Sequence, residues 1–288
     1  MPSEADSNKI LLMVAGINGA GKSTLNKQLR AENPDVLYIN ADDWLKDKLA
    51  AEGRDTHSKE EEIEAQAWAN KARTDAILDG QSLITESVFS HPSRIEYLQF
   101  AIDNNFQVAL FHVNVESADI AVERVGIRVE DGGHDVNEAK IRARYERCLV
   151  TISEASKIAD TTLVIDNTAT KPDSINLPLM TLEKGQITRI HNELPTWAKD
   201  AYKEPLEAFY EAQRELSNNN NSVGEAYRKV IQERYKNQPE KMQSKLDTFE
   251  KRLNELTSEG VKLKPFSNEK NPMQVVVSAN NKDKDLDR

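Results

Sequence analysis

Short apolar runs alternate along the chain with longer stretches whose apolar positions recur every three or four residues. The runs fall at residues 10–14, 36–39, 82–85, 107–113 and 162–165. Most are rich in Val, Ile and Leu and do not strictly alternate, as expected of strands covered on both faces. Between them the spacing is helical; Leu25 and Leu29, for example, lie four apart on one helix face. Strand-helix alternation of this kind predicts an α/β sandwich with a mainly parallel central sheet. Right-handed crossovers then bring the strand ends, and the ligand, to one edge.

The character changes after about residue 170. Residues 177–183 and 186–190 flank Lys184-Gly185 and read as a small hairpin. Beyond Leu194-Pro195-Thr196-Trp197 the chain is helical and highly charged, with residues 218–222, four Asn and a Ser, reading as a polar connector. Met242, Leu246, Phe249, Leu253 and Leu256 are spaced 4-3-4-3, a seam about two heptads long. So short a seam suits a helix lying on the body of the protein better than an independent coiled coil. From residue 266 the chain is polar and ends in KDKDLDR, which reads as disordered. The expected organisation is a nucleotide-binding domain over 1–195, a helical extension over 196–265 and a tail over 266–288.

Composition narrows the function. The 288 residues carry a net charge of −10, which disfavours a broad nucleic-acid groove. No apolar stretch approaches the 18 or so residues of a membrane span. The opening MPSEADSNK lacks an apolar signal core, so a cytoplasmic location is expected. Cys148, the one cysteine, reads as a packed thiol, and the five histidines lack the paired spacing of a zinc site.

The first apolar run leads into AGINGAGKSTL, residues 15–25, where Gly16, Gly21, Lys22 and Ser23 fit G-x-x-x-x-G-K-[ST]. In strand–loop–helix context, the backbone N–H groups of such a loop cradle phosphate oxygens. Asn18, Gly19, Ala20 and Thr24 belong to the same cradle. Lys22 is placed to reach the β- and γ-phosphates, and the Ser23 hydroxyl to ligate Mg²⁺. The second run leads to Asp42-Asp43, of which one can cap a helix and the other act as a base. The third ends at Glu86-Ser87, where an abrupt acid suggests a Mg²⁺ or substrate contact. Arg124 and Arg128 then share a helix face, Gly132-Gly133 frees the backbone, and Arg142, Arg144 and Arg147 follow. Arginines on both sides of a glycine pair have the form of a lid over a nucleotide, where they stabilise charge during phosphoryl transfer. The alternative for some of them is pairing with Glu123, Glu130, Glu138 and Glu146 at the surface.

AGINGAGKST, INADDW, ITESVFSHPSRIEYLQFA, ERVGIRVEDGGHDVNEAKIRARYERCL and DNT, in this order and spacing, resemble the zeta-toxin family of P-loop kinases. The resemblance covers roughly residues 8–170. It implies a P-loop NTPase-type fold and transfer of the γ-phosphate of ATP or GTP, with Mg²⁺, to the 3′-hydroxyl of the sugar in UDP-N-acetylglucosamine. It puts the general base at Asp42, the P-loop lysine at Lys22, the lid arginines at Arg124 and Arg128 with Arg142 or Arg144 following, and the acid of the E-T-x-S block at Glu86. Where many relatives carry Thr, this chain has Ser87. The resemblance also implies a small helical antitoxin that blocks the nucleotide site. The helices of about 198–258 are a second candidate for that inhibition, in cis. Two further readings use the same residues: a phosphotransferase for another small hydroxyl compound, and a nucleotide-dependent binding module with helical output.

Overall fold

The computed structural model describes residues 9–130, 135–169, 177–264 and 277–278. The chain forms two compact units, Met1–Leu206 and Glu207–Arg288.

The first unit is built on a seven-stranded sheet in the order β2-β3-β1-β4-β5-β6-β7. These are β1 (Lys9–Ala15), β2 (Leu37–Ile39), β3 (Leu83–Ser87), β4 (Phe106–Asn114), β5 (Thr161–Asp166), β6 (Leu177–Glu183) and β7 (Gln186–Ile190). The first five are mutually parallel, and β6 and β7 run antiparallel at one edge. All five apolar runs are strands, within a residue or two at each end. The hairpin does not stand apart: Leu179, Met180 and Leu182 are buried, and their burial seats β6 against β5, extending the main sheet. Helices α1 (Lys22–Glu32), α2 (Ala41–Ala51), α3 (Lys59–Leu78), α4 (Ser93–Asp103), α5 (Ala118–Glu130) and α6 (Glu138–Ser156) separate the strands. Leu11, Val14, Leu83, Ile84 and Val113 are wholly buried in the sheet, each side chain worth about 1.5–3 kcal/mol of transfer free energy.

Strand register positions the site. Val14 pairs with Glu86 and Ala15 with Ser87, so the glycine loop leaves the sheet beside the Glu86-Ser87 strand end. Ile39 pairs with Thr85, which brings the start of α2 to the same edge.

The first unit runs past residue 195, where the sequence reading ends its nucleotide-binding domain. The reason is α7 (Thr196–Ala201) and the residue after it. Trp197, Ala198 and Tyr202 are buried, and the Tyr202 hydroxyl meets His112 Nδ1 of β4 at 2.8 Å.

The second unit contains most of α8 (Lys203–Arg234), α9 (Pro239–Ser258), β8 (Lys262–Leu263) and β9 (Val277–Ser278). Its core is Val223, Tyr227, Ile231, Phe249, Leu253, Leu256 and Leu263, with Met242 and Leu246 packed against it. The seam on α9 is therefore one side of a helix pair whose other side is α8. Residues 218–222 are not a connector but lie inside α8. Asn220 is buried there, donating to Thr257 Oγ1 (2.9 Å) and the Val261 carbonyl (2.8 Å) and accepting from Leu263 N–H (2.9 Å). It satisfies the backbone where α9 ends. Within the stretch read as a disordered tail, Val277–Ser278 pairs with β8, as its β-branched run Val275-Val276-Val277 favours. The remainder of 266–288 lies outside the described residues.

Candidate active site

The chain turns after β1 into a loop held from several sides. Gly16 N–H donates to the Ser87 carbonyl (3.3 Å), and a Cβ on Gly16 would lie 2.0 Å from the Val113 carbonyl oxygen. Gly21 caps α1 at φ 96°, a left-handed conformation that favours glycine. Asn167 braces the loop from the end of β5, donating through Nδ2 to the Ala20 carbonyl at 2.8 Å. Lys22 is buried, and its Nζ donates to the Ile17 carbonyl at 3.0 Å, folding the ammonium back over the loop. Burial lowers its pKa; Glu86, Cys148 and Asp42 act in the opposite sense, and Arg128 adds to the lowering. Ser23 and Thr24 are exposed in the first turn of α1.

One turn after Lys22, Asn26 is buried and donates through Nδ2 to Glu86 Oε2. Its own Oδ1 has no partner among the described residues. Asn26 was missed in the sequence, although its i+4 spacing from Lys22 places it on the same face of α1.

The two aspartates part company at α2. Neither is the cap: Asn40 Oδ1 accepts from Asp42 N–H (2.7 Å) and Asp43 N–H (3.2 Å). Asp42 lines a cavity of about 530 Å³ together with Lys22, Glu86, Ser87, Asn18 and Arg128. Asp43 lines a separate hollow of about 1150 Å³ outside the edge strand β2, where it lies 3.8 Å from Arg30. That hollow also holds the stacked pair Trp44 and Trp68, ring centroids 5.1 Å apart.

The arginines of α5 and α6 also divide. Arg128 lines the cavity. Arg144 lines it too and donates to Asn18 Oδ1 of the loop at 3.2 Å. Arg124 instead donates to the carbonyls of Thr168 (3.1 Å) and Ala169 (3.3 Å), outside the lining. Arg142 pairs with Asp119 and Glu138, both exposed, and Arg147 donates to the Ala143 carbonyl on its own helix. Gly132-Gly133 lies outside the described residues. Cys148 donates to the Val88 carbonyl, and burial pushes its thiol up to about 11, so it is a packed thiol.

Two further arginines, unmarked in the sequence reading, line the cavity: Arg73 of α3 and Arg94 of α4. Their sequence signal is weak. Arg73 interrupts the buried alanine face formed by Ala65, Ala69 and Ala76, which is unusual for a guanidinium. Phe89, also in the lining, is buried at φ 61°, a strained conformation for a bulky side chain and one that clusters at functional sites.

Among the described residues no group of three or more His, Cys, Asp or Glu is placed to hold a metal. The donor set fits Mg²⁺ arriving with a nucleotide: oxygen ligands only, few of them from protein, the rest from phosphate and water. Glu86 and the Ser23 hydroxyl are oxygens of that type.

A mainly parallel sheet with a glycine loop between β1, the middle one of its five parallel strands, and α1 defines a P-loop kinase-like fold. The chain belongs to the zeta toxin family: the sequence model of that family, described as Zeta toxin, matches residues 2–190. An uncharacterized protein of Haemophilus influenzae is 30% identical over 134 residues, 46% of this chain and 91% of its own length. Among solved structures, the AvrRxo1-ORF1:-ORF2 complex with ATP aligns with a TM-score of 0.52 at 12% identity, covering 72% of this chain and 64% of that one. The PezAT chromosomal toxin–antitoxin system of Streptococcus pneumoniae aligns with a TM-score of 0.46 at 14% identity, covering 71% and 86%. No described helix is long and apolar enough to cross a membrane.

Proposed function

We propose that the protein is a kinase that transfers the γ-phosphate of ATP or GTP to a sugar hydroxyl of UDP-N-acetylglucosamine or a related UDP-amino sugar, as the toxin of a toxin–antitoxin pair. The observation that carries the kinase reading is the meeting of Lys22, Asp42 and Glu86 in one cavity with Arg128 and Arg144. Asp42 takes the proton of the acceptor hydroxyl. The freed oxygen attacks the γ-phosphorus, the bond to the β-phosphate oxygen breaks, and the nucleoside diphosphate leaves. Lys22, Arg128 and Arg144 balance the charge on the transferring group. Mg²⁺, when bound by Ser23 and Glu86, neutralises the phosphates further. Glu86 and Ser87 contact the acceptor. Family membership supports the toxin role and a helical antitoxin as partner.

A second reading keeps the chemistry and changes the acceptor to another small hydroxyl compound. Its support is local: Ser87 stands at the acceptor block, with its hydroxyl engaged by Phe89 N–H at 3.3 Å.

The test is purified protein with Mg²⁺, labelled ATP or GTP and a panel of sugar nucleotides. Label transferred to UDP-N-acetylglucosamine, and lost in Lys22→Ala and Asp42→Ala, is expected. Nucleotide hydrolysis with no transfer to any UDP-sugar would favour the second reading. Growth arrest on induction, relieved by the same substitutions, is expected of the toxin.

A further inference from the structure

Two opposite charges share the cavity without meeting. Lys22 and Glu86 both line it, yet among the described residues no ion pair joins them. Each rests instead on a neutral partner: the ammonium on the Ile17 carbonyl at 3.0 Å, and Glu86 Oε2 on the amide Nδ2 of Asn26. Glu86 Oε1 accepts no hydrogen bond among the described residues. The two charges are near enough to act on each other. Burial lowers the Lys22 pKa, and of the charges that oppose this Glu86 acts most strongly. A carboxylate free to turn toward a buried ammonium pairs with it, because the attraction is strong where water is scarce.

Asn26 stands in the way. It is only 1% exposed, on the buried face of α1 that also carries Leu25 and Leu29. A leucine would suit that position better. Asn is the poorer helix former, and the Oδ1 of Asn26 is buried with no partner among the described residues, which is costly. The carboxylate fixes which way the amide points, since only its NH₂ can face Glu86. Asn26 is not among the residues that line the cavity, so it holds Oε2 toward α1 and leaves Oε1 for the cavity. A polar side chain kept at a cost to stability, with its one bond made to a group of the site, marks a task at that site.

We infer that Asn26 is a positioning residue: its amide holds the Glu86 carboxylate against α1 and off Lys22, which keeps the ammonium available to phosphate and one oxygen of Glu86 available to a ligand. The inference rests on the reading of this cavity as a nucleotide site. Both charges are then poised on weak neutral partners that an incoming nucleotide can replace. A Lys22–Glu86 ion pair would instead have to be broken each time.

The test is a double-mutant cycle read as nucleotide affinity. ATP and GTP are titrated calorimetrically, without magnesium, into the full-length protein, Asn26→Leu, Glu86→Gln and the double variant. Asn26→Leu should weaken the tighter nucleotide about tenfold, because Glu86 then neutralises Lys22. In the Glu86→Gln background the same substitution should change affinity by less than about threefold. The Tm of Asn26→Leu should equal or exceed that of the native chain, since an orphaned buried carbonyl is removed. A residue that only supported the fold would lower Tm and weaken binding equally in both backgrounds, and that result overturns the inference. Lys22→Ala separates the two levels of the argument. If the native chain binds neither nucleotide, or Lys22→Ala binds as tightly as native, the nucleotide reading fails and the role of Asn26 falls with it. Binding that depends on Lys22 and is unmoved by Asn26→Leu rejects the positioning role alone.

Discussion

Adjacent identical side chains can have unrelated fates when a third residue fixes the helix start. Asn40 caps α2, which releases both Asp42 and Asp43 from that duty and turns them toward different hollows. Asp42→Asn should therefore lower kcat for phosphate transfer by about 10²–10⁴-fold, the usual contribution of a positioned base. Asp43→Asn, which removes only the exposed contact with Arg30, should stay within a few-fold. Initial rates at saturating nucleotide separate the two, and equal losses would count against Asp42 as the base. His112 offers a stability test at the same scale. It is fully buried, and burial pulls its pKa down to about 3 from the usual 6.5. The folded state thus refuses a proton that the unfolded state accepts between those values, so stability rises with pH across that window. The first unit should lose several kcal/mol as pH falls from about 6.5 toward 3, the order of the shift at 1.36 kcal/mol per unit. His112→Gln should flatten this part of the pH–stability curve, measured by denaturant unfolding. A curve as steep as the native one would assign the slope to other groups.

At the level of elements, local composition misleads where a polar side chain performs a tertiary task. The Asn run in α8 has the look of a linker, because Asn is a poor helix former and a good turn former. Asn220 belongs in the helix because its amide closes three hydrogen bonds to residues 37 to 43 positions away in sequence, which no local pattern reveals. Asn220→Ala should destabilise the second unit by about 1–3 kcal/mol, leaving buried partners unpaired. That corresponds to roughly 4–8 °C in Tm per kcal/mol for a domain of this size. Asn221→Ala, at an exposed position of the same helix, should be neutral or slightly stabilising. Unfolding followed by circular dichroism compares them, and matched effects would remove the special role of Asn220. The same contrast explains what was legible in the sequence. The five parallel strands and the glycine loop were, because their signals are local: apolar runs and a fixed spacing. Arg73, Arg94 and Asn26 were not, because each acquires its meaning from a partner on another element. Arg124 and Arg128 look alike four residues apart, and only the carbonyls of Thr168 and Ala169 distinguish them.

On the scale of the whole chain, every described residue lining the cavity lies between Asn18 and Arg144, inside the first unit, and the family match ends at residue 190. The second unit has a core of its own. Where the chain can be cut without loss then depends on α7. Trp197 and Tyr202 are almost wholly buried in the first unit, Tyr202 through its hydrogen bond to His112. Each buried aromatic of this kind contributes about 1.5–3 kcal/mol, a large part of the 5–15 kcal/mol that holds a typical domain together. A chain ending at Leu206 should therefore fold, bind nucleotide and transfer phosphate, whereas one ending at residue 195 should melt at a clearly lower temperature. Phosphate transfer by the Leu206 chain that exceeds the full-length rate would make the helices of the second unit an inhibitor in cis. Equal rates would reject that role and leave those helices as a surface for a separate partner. Loss of activity at Leu206 with the fold intact would mean that the second unit completes the site, contrary to the residues that line the cavity.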